Sequence, residues 1–308
     1  MQTAHMISAE ALRHRGFTLL EMIVVIAITG IVAAMAAVFM LRPVQSYVDL
    51  SRRAALVDSA ESALRRMARD IRIALPNSVR VTPVASGFAL ELLPTIDGAR
   101  YATAEVAVPA CENLTGFDPA AADAEFDILG TFSAIVAGTR VVINNQGAGT
   151  THDVYADGVS PSPAAPLVIT PVGTSVTIAL NSVASCPIPA NGKHHITLST
   201  AHQFRSPSPR GRLFLVTTPV SYLCDTTLGT LVRYSGYAIQ ATQPTTAGAL
   251  NALAGVTSAR VADRLSTCGA TTSTTDVQDR GLVTFDLVLT EQTEKIRLIH
   301  QVQLDNSR

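Results

Sequence analysis

Between residues 17 and 41 the chain reads FTLLEMIVVIAITGIVAAMAAVFML, with Glu21 as its only ionisable residue. A helix over this stretch is ~37 Å long at a rise of about 1.5 Å per residue. The hydrocarbon core of a bilayer is about 30 Å thick, so the helix is long enough to span it. The preceding residues 1–16 are short and polar and end in Arg13-His14-Arg15-Gly16. Arg13 and Arg15 favour a cytoplasmic N-terminus, which puts residues from about 45 onward beyond the membrane.

Two ordinary readings fit the apolar run by itself. One is an uncleaved signal anchor; the other is a secretory signal cut at Ala34-Met35-Ala36, an A-x-A pattern. Neither accounts for Glu21. A carboxylate inside a membrane helix costs roughly 2.5–3.5 kcal/mol on insertion scales, so an acid retained there points to a role. If the chain is cut between Gly16 and Phe17, Glu21 lies one helical turn from a new α-amino group. The acid and the ammonium would then offset each other's desolvation.

Gly16-Phe17-Thr18-Leu19-Leu20-Glu21, followed by about twenty apolar residues, resembles the class III signal of type IV pilins and type II secretion pseudopilins. The resemblance implies that a prepilin peptidase cuts after Gly16 and methylates Phe17. It also implies that Glu21 pairs with the N-terminal amine of a neighbouring subunit during assembly. The partners it implies are the peptidase, other major and minor pilins, the assembly platform of a bacterial inner membrane, and membrane lipid. Four further stretches resemble the O-type minor pilins of mannose-sensitive haemagglutinin (MSHA) pilus systems. They are the run from Leu64 to Arg80, Pro219-Val-Ser-Tyr-Leu-Cys224, Arg233-Tyr-Ser-Gly-Tyr237 and Gly281-Leu-Val-Thr-Phe285. Residues 100–200 offer nothing to match.

The bulk composition agrees with an anchored, exported protein. Of 308 residues, 47% are apolar and only 15% charged, against a usual quarter. That balance signals extra buried or lipid-facing surface and is the reverse of disorder. The net charge of −1 gives no global attraction to nucleic acid, and none is expected as a partner.

Beyond Pro43, which should kink or weaken the helix, helical periodicity resumes. Tyr47, Leu50, Ala54, Val57, Ala60, Leu64, Met67 and Ile71 recur at three- and four-residue steps. Arg52, Arg53, Arg65, Arg66, Arg69 and Arg72 fill other faces, Glu61 sits four residues before Arg65, and Pro76 ends the run. The arginines read as a solvated face or a subunit contact, since no aromatic side chains interleave them for base stacking.

From Val79 the period changes to two. Strands are expected at Val79–Val84 and Gly87–Leu93 around a Ser86-Gly87 turn, and at Arg140–Ile143. Leu167–Thr170 and Val176–Leu180 are expected to join around Gly173. Two more hairpins follow: Arg212–Leu223 with Leu231–Gln240 around Gly229, and Leu282–Leu289 with Ile296–Leu304. Residues 103–130 and 241–280, rich in Ala, Thr and Gly, read as connections with short helices. The expected class is therefore α+β and pilin-like, a long N-terminal helix packed on an antiparallel sheet. Its expected segments are a leader (1–16), a transmembrane helix (17–41), an amphipathic continuation (42–76) and a periplasmic β-rich domain (77–308).

Cys111, Cys186, Cys224 and Cys268 allow three pairings, and export favours two disulfides. Pairing in chain order, Cys224 with Cys268 and Cys111 with Cys186, keeps each bridge within one stretch of sheet and loop. No GxSxG, P-loop, GxGxxG, HExxH or EF-hand pattern occurs. His194, His195 and His202 form the one tempting metal cluster, but adjacent strand histidines point to opposite faces. No enzyme, cofactor or metal site is expected. The expected function is that of a minor pilin that helps initiate or cap an MSHA-like filament. The alternatives are a J-like pseudopilin of type II secretion, or a tip-located adhesin that binds through residues 100–200.

Overall fold

A computed structural model describes residues 16–103, 116–119, 121–133, 135–162, 165–180, 194–273 and 281–304. The chain divides into two compact units, Met1–Arg52 and Arg53–Arg308. Helix α1 (Leu19–Arg72) includes Pro43. The proline removes one backbone donor there without ending the helix.

The helix stops at Arg72, short of the expected end at Pro76. The backbone groups that follow find other partners: the Leu75 amide donates to Leu93 O at 2.8 Å, and the Thr95 amide donates to Ile73 O at 2.8 Å. Pro76 also disfavours helical backbone at the residue before it.

Within the second unit, Leu56, Ala60, Ala63, Leu64, Met67, Ala68 and Ile71 are buried. The buried stripe thus begins later than the periodicity suggests. Ala54 and Val57 are exposed, as are Tyr47 and Leu50 in the first unit. Arg53, Arg65, Arg66, Arg69 and Arg72 face solvent, and Arg65 pairs with Glu61.

After α1 come β1 (Arg80–Val84), β2 (Gly87–Leu92), β3 (Thr95–Arg100), β4 (Asp123–Asp127), β5 (Arg140–Val142) and a short helix α2 (Val154–Asp157). Then follow β6 (Val176–Leu180), β7 (His194–His202), β8 (Arg212–Val216), β9 (Val220–Asp225) and β10 (Thr230–Ser235). The chain continues through helix α3 (Ala247–Asn251), β11 (Thr257–Ala262), β12 (Leu265–Ser273), β13 (Leu282–Glu291) and β14 (Glu294–Gln303). Among the described residues these strands form one five-stranded sheet, β1-β2-β9-β10-β11, and three three-stranded sheets, β12-β13-β14, β3-β8-β5 and β4-β7-β6. Neighbouring strands in all four run antiparallel.

The buried helix face shares one core with the five-stranded sheet and β12-β13-β14. Val283, Phe285, Leu287 and Leu289, the expected inward face of β13, have no solvent exposure, and Phe285 packs against Phe88 with ring centroids 5.9 Å apart. A second core, around Phe117, Phe126, Phe204 and Leu215, fills the space between the other two sheets.

Several expected pairings differ. The run 212–223 is two strands in two sheets, because Thr217-Thr218-Pro219 interrupts it and Pro219 cannot donate to a ladder. The hairpin around Gly229 is accordingly β9 with β10 alone. Residues 167–170 make only isolated bridges, to Val142 and Phe204, and β6 pairs with β7 instead. β4 lies within the stretch 103–130, and β11 and β12 within 241–280, so neither stretch is purely connection.

Cys224 on β9 and Cys268 on β12 form a disulfide. The bridge joins two different sheets rather than lying within one stretch of sheet and loop. Gly87 opens β2 beside it with φ of 145°, and a side chain there would meet Cys224 O and Cys268 Sγ, both at 2.6 Å. Cys111 and Cys186 lie outside the described residues. The loop closed by Cys224 and Cys268 spans 44 residues. Replacing both with alanine should lower unfolding free energy by about 2–4 kcal/mol, measured by urea unfolding against the oxidised parent. A loss below about 0.5 kcal/mol would show that the bridge constrains little, since surface-like changes fall in that range.

Candidate functional site: the N-terminal signal and anchor

Gly16, Phe17 and Thr18 precede the helix, which begins at Leu19. Thr18 starts it: its Oγ1 accepts from the Glu21 amide at 3.2 Å, and its carbonyl accepts from Met22 at 3.2 Å. A threonine here satisfies a helix-start amide that lipid could not. Thr18-Leu-Leu-Glu21 has the spacing of a capping box, and its threonine half is formed. The T-x-x-E spacing of Thr18 and Glu21 is the signal in the sequence that marks this helix start.

Glu21 stands in the first turn of the helix, where the partial positive charge of the exposed amides favours a carboxylate. No described side chain offers it an ion pair. Phe17, with 77% of its surface exposed, and Leu19, Leu20, Ile23, Ile26, Ile31, Met35 and Phe39 are also exposed. An unbroken apolar helix surface of this length in one chain is what lipid or neighbouring helices cover. Thr29, the next polar side chain, donates from Oγ1 to Val25 O at 2.6 Å, so its hydroxyl is satisfied within the helix.

The other sequence-predicted residues fall elsewhere. His195 Nδ1 lies 2.8 Å from the buried Asp127 carboxylate, with Glu125 3.5 Å from Nε2. His194 Nδ1 accepts from the Phe132 amide at 2.9 Å. His202 is fully buried, its ring 4.8 Å from that of Phe204. It is a core residue. Among the described residues no three His, Cys, Asp or Glu side chains converge as a metal site.

Polar side chains of α1, β9 and β10 meet inside the second unit. Asp70 on α1 accepts from Tyr222 Oη at 2.7 Å and from Arg233 Nε at 2.8 Å. Burial, followed by the nearby Asp70 charge, pushes the Tyr222 phenol well above its ordinary range. Arg80 Nε donates to Glu91 at 2.7 Å, Tyr237 Oη donates to the other Glu91 oxygen at 2.8 Å, and Ser221 Oγ lies 2.6 Å from Tyr237 Oη. These contacts tie helix to sheet and strand to loop.

Residues 12–37 match the family model of the prokaryotic N-terminal methylation motif. No curated protein and no solved structure matches the chain. Together with the exposed apolar helix, that match gives the chain a type IV pilin-like class III signal followed by one helix long and apolar enough to cross a membrane.

Proposed function

We propose that this chain is a minor pilin of an MSHA-like type IV pilus that helps initiate or cap the filament. Residues 1–16 are a leader removed after Gly16, and residues 17–41 are the membrane anchor. Residues 42–76 carry the helix into a periplasmic domain at 77–308, with the N-terminus cytoplasmic. The role is structural, not enzymatic: an apolar helix that packs in lipid before assembly and against other subunits after it. The observation that carries this reading is Glu21, an acid in the first turn of α1 and the one ionisable residue of its exposed apolar stretch before Leu41. Lipid penalises such a carboxylate until a cation meets it. A free amine at Phe17 is the cation that cleavage after Gly16 creates. The four shared stretches support the MSHA-like assignment over a J-like pseudopilin.

Mass spectrometry of the protein from membranes with active prepilin peptidase tests the reading. The expected mature chain begins at N-methylated Phe17. A chain beginning at Met1, or just past Ala36, overturns it.

A further inference from the structure

Arg140 lies on β5, the edge strand of its sheet. Its guanidinium donates from Nε to Thr170 O at 2.8 Å, from Nη1 to Gly158 O at 2.7 Å, and from Nη2 to Thr170 O. Both acceptors are neutral carbonyls, and no described carboxylate forms an ion pair with it. Asp157, next to Gly158 in the chain, is committed to Arg205 at 2.9 Å and to the Val168 amide at 2.8 Å. Burial pushes the Arg140 guanidinium down to about 10, so it remains a cation at neutral pH. Of the five N–H donors of an arginine, two stay unassigned, one on each terminal nitrogen.

This uncompensated cation lines a cleft of about 500 Å³, within the range of small-molecule sites. The cleft walls combine hydroxyls at Thr174, Ser175 and Thr217 with apolar surface at Val159, Val172 and Ile239. Val159 and Val172 are about half exposed, at 45% and 53%, which is apolar surface held open to solvent at the cleft. Gly158, which lines the cleft, packs too closely for a side chain: a Cβ there would meet Val154 O at 2.5 Å and Ile239 Cγ2 at 2.7 Å.

We propose that this cleft binds a carboxylate-bearing sugar, a uronic acid, through Arg140. A single arginine suits a monoanion; a phosphate dianion calls for further cations, and the described lining has none. Each terminal nitrogen keeps one N–H beyond its carbonyl bond that can donate to a carboxylate oxygen. Hydroxyls beside exposed aliphatic side chains match a sugar, which has both polar edges and an apolar face. The site is independent of filament assembly and of processing at Gly16, so either can fail without the other.

The test is calorimetric titration of the detergent-solubilised full chain with glucuronate, glucose, acetate and inorganic phosphate. Glucuronate should bind saturably at one site, about tenfold or more tighter than glucose or acetate, the loss expected when a charge-assisted pair is removed. Arg140→Met should weaken glucuronate by a similar factor. Val172→Trp, which fills the cleft and leaves the guanidinium in place, should abolish binding with an unchanged melting temperature. Equal binding of glucose, tighter binding of phosphate, undiminished binding by Val172→Trp, or no saturable glucuronate binding would each overturn the assignment.

Discussion

Replacing Glu21 with alanine is expected to remove the subunit from filaments while leaving it in the membrane, processed and folded. The carboxylate is the one feature of residues 17–40 that lipid disfavours, so the variant helix should insert more readily, by roughly 2.5–3.5 kcal/mol. Its side chain makes no ion pair with a described residue, so no fold contact is lost. Assembly is different. A subunit amine placed against Glu21 in the filament would lose its counter-charge in a low-dielectric setting. Breaking a buried pair from one side costs about 3–5 kcal/mol, or about 10²–10⁴ in association. The measurement is the ratio of subunit in sheared filaments to subunit in membranes, with Glu21→Gln beside Glu21→Ala. Glutamine keeps the shape and one acceptor oxygen but loses the charge, so it should fail nearly as badly. Incorporation of either variant at the parental level would sink the pairing argument and leave Glu21 as a helix-start residue only.

The parts of the fold that were legible in the sequence are those specified by neighbours in the chain. The Ser86-Gly87 turn joins two alternating segments, and β13 and β14 are both long and regular. What failed was set by distant partners. β11, Thr-Ser-Ala-Arg-Val-Ala, is mostly exposed and lies at a sheet edge, so it shows no alternation. β12 has the composition of a loop and is a strand because β13 lies beside it. Strand preference depends on such pairing more than on the residues themselves. At the N-terminus, Glu21 stands out in the sequence because a membrane makes one charge in an apolar run costly. Arg140 was not, since its significance lies in carbonyls that come from residues 18 and 30 positions away. Glu91 was also hidden: a charged residue in a strand reads as solvent-facing, and its partner Tyr237 lies 146 residues on.

That buried acid gives the largest stability effect expected in the second unit. Glu91 has no exposed surface, and Arg80, directly opposite it in the β1–β2 register, is 12% exposed at the side chain. Arg80 also donates to Ala241 O at 2.9 Å and Gln240 O at 2.8 Å, and its guanidinium carbon sits 3.7 Å from the centroid of the Tyr155 ring. Arg80→Met therefore leaves a buried carboxylate with Tyr237 as its main donor and frees two carbonyls. The expected loss is about 3–5 kcal/mol in urea unfolding of the detergent-solubilised chain. Burial already raises the Glu91 carboxyl above its ordinary range, with Arg80 and Tyr237 opposing. Removing Arg80 removes the largest opposing influence, so the folded-state value moves further up. A carboxyl raised in the folded state destabilises once pH exceeds the unfolded value, and the penalty grows until pH passes the folded value. The Arg80→Met deficit should consequently be larger at pH 8 than at pH 5. The double variant Arg80→Met with Glu91→Leu removes both charges and should recover more than half of the loss, because the penalty lies in the unpaired charge rather than in the absent bridge. A deficit that is independent of pH and unrelieved in the double variant would assign the effect to lost packing against Tyr155 instead.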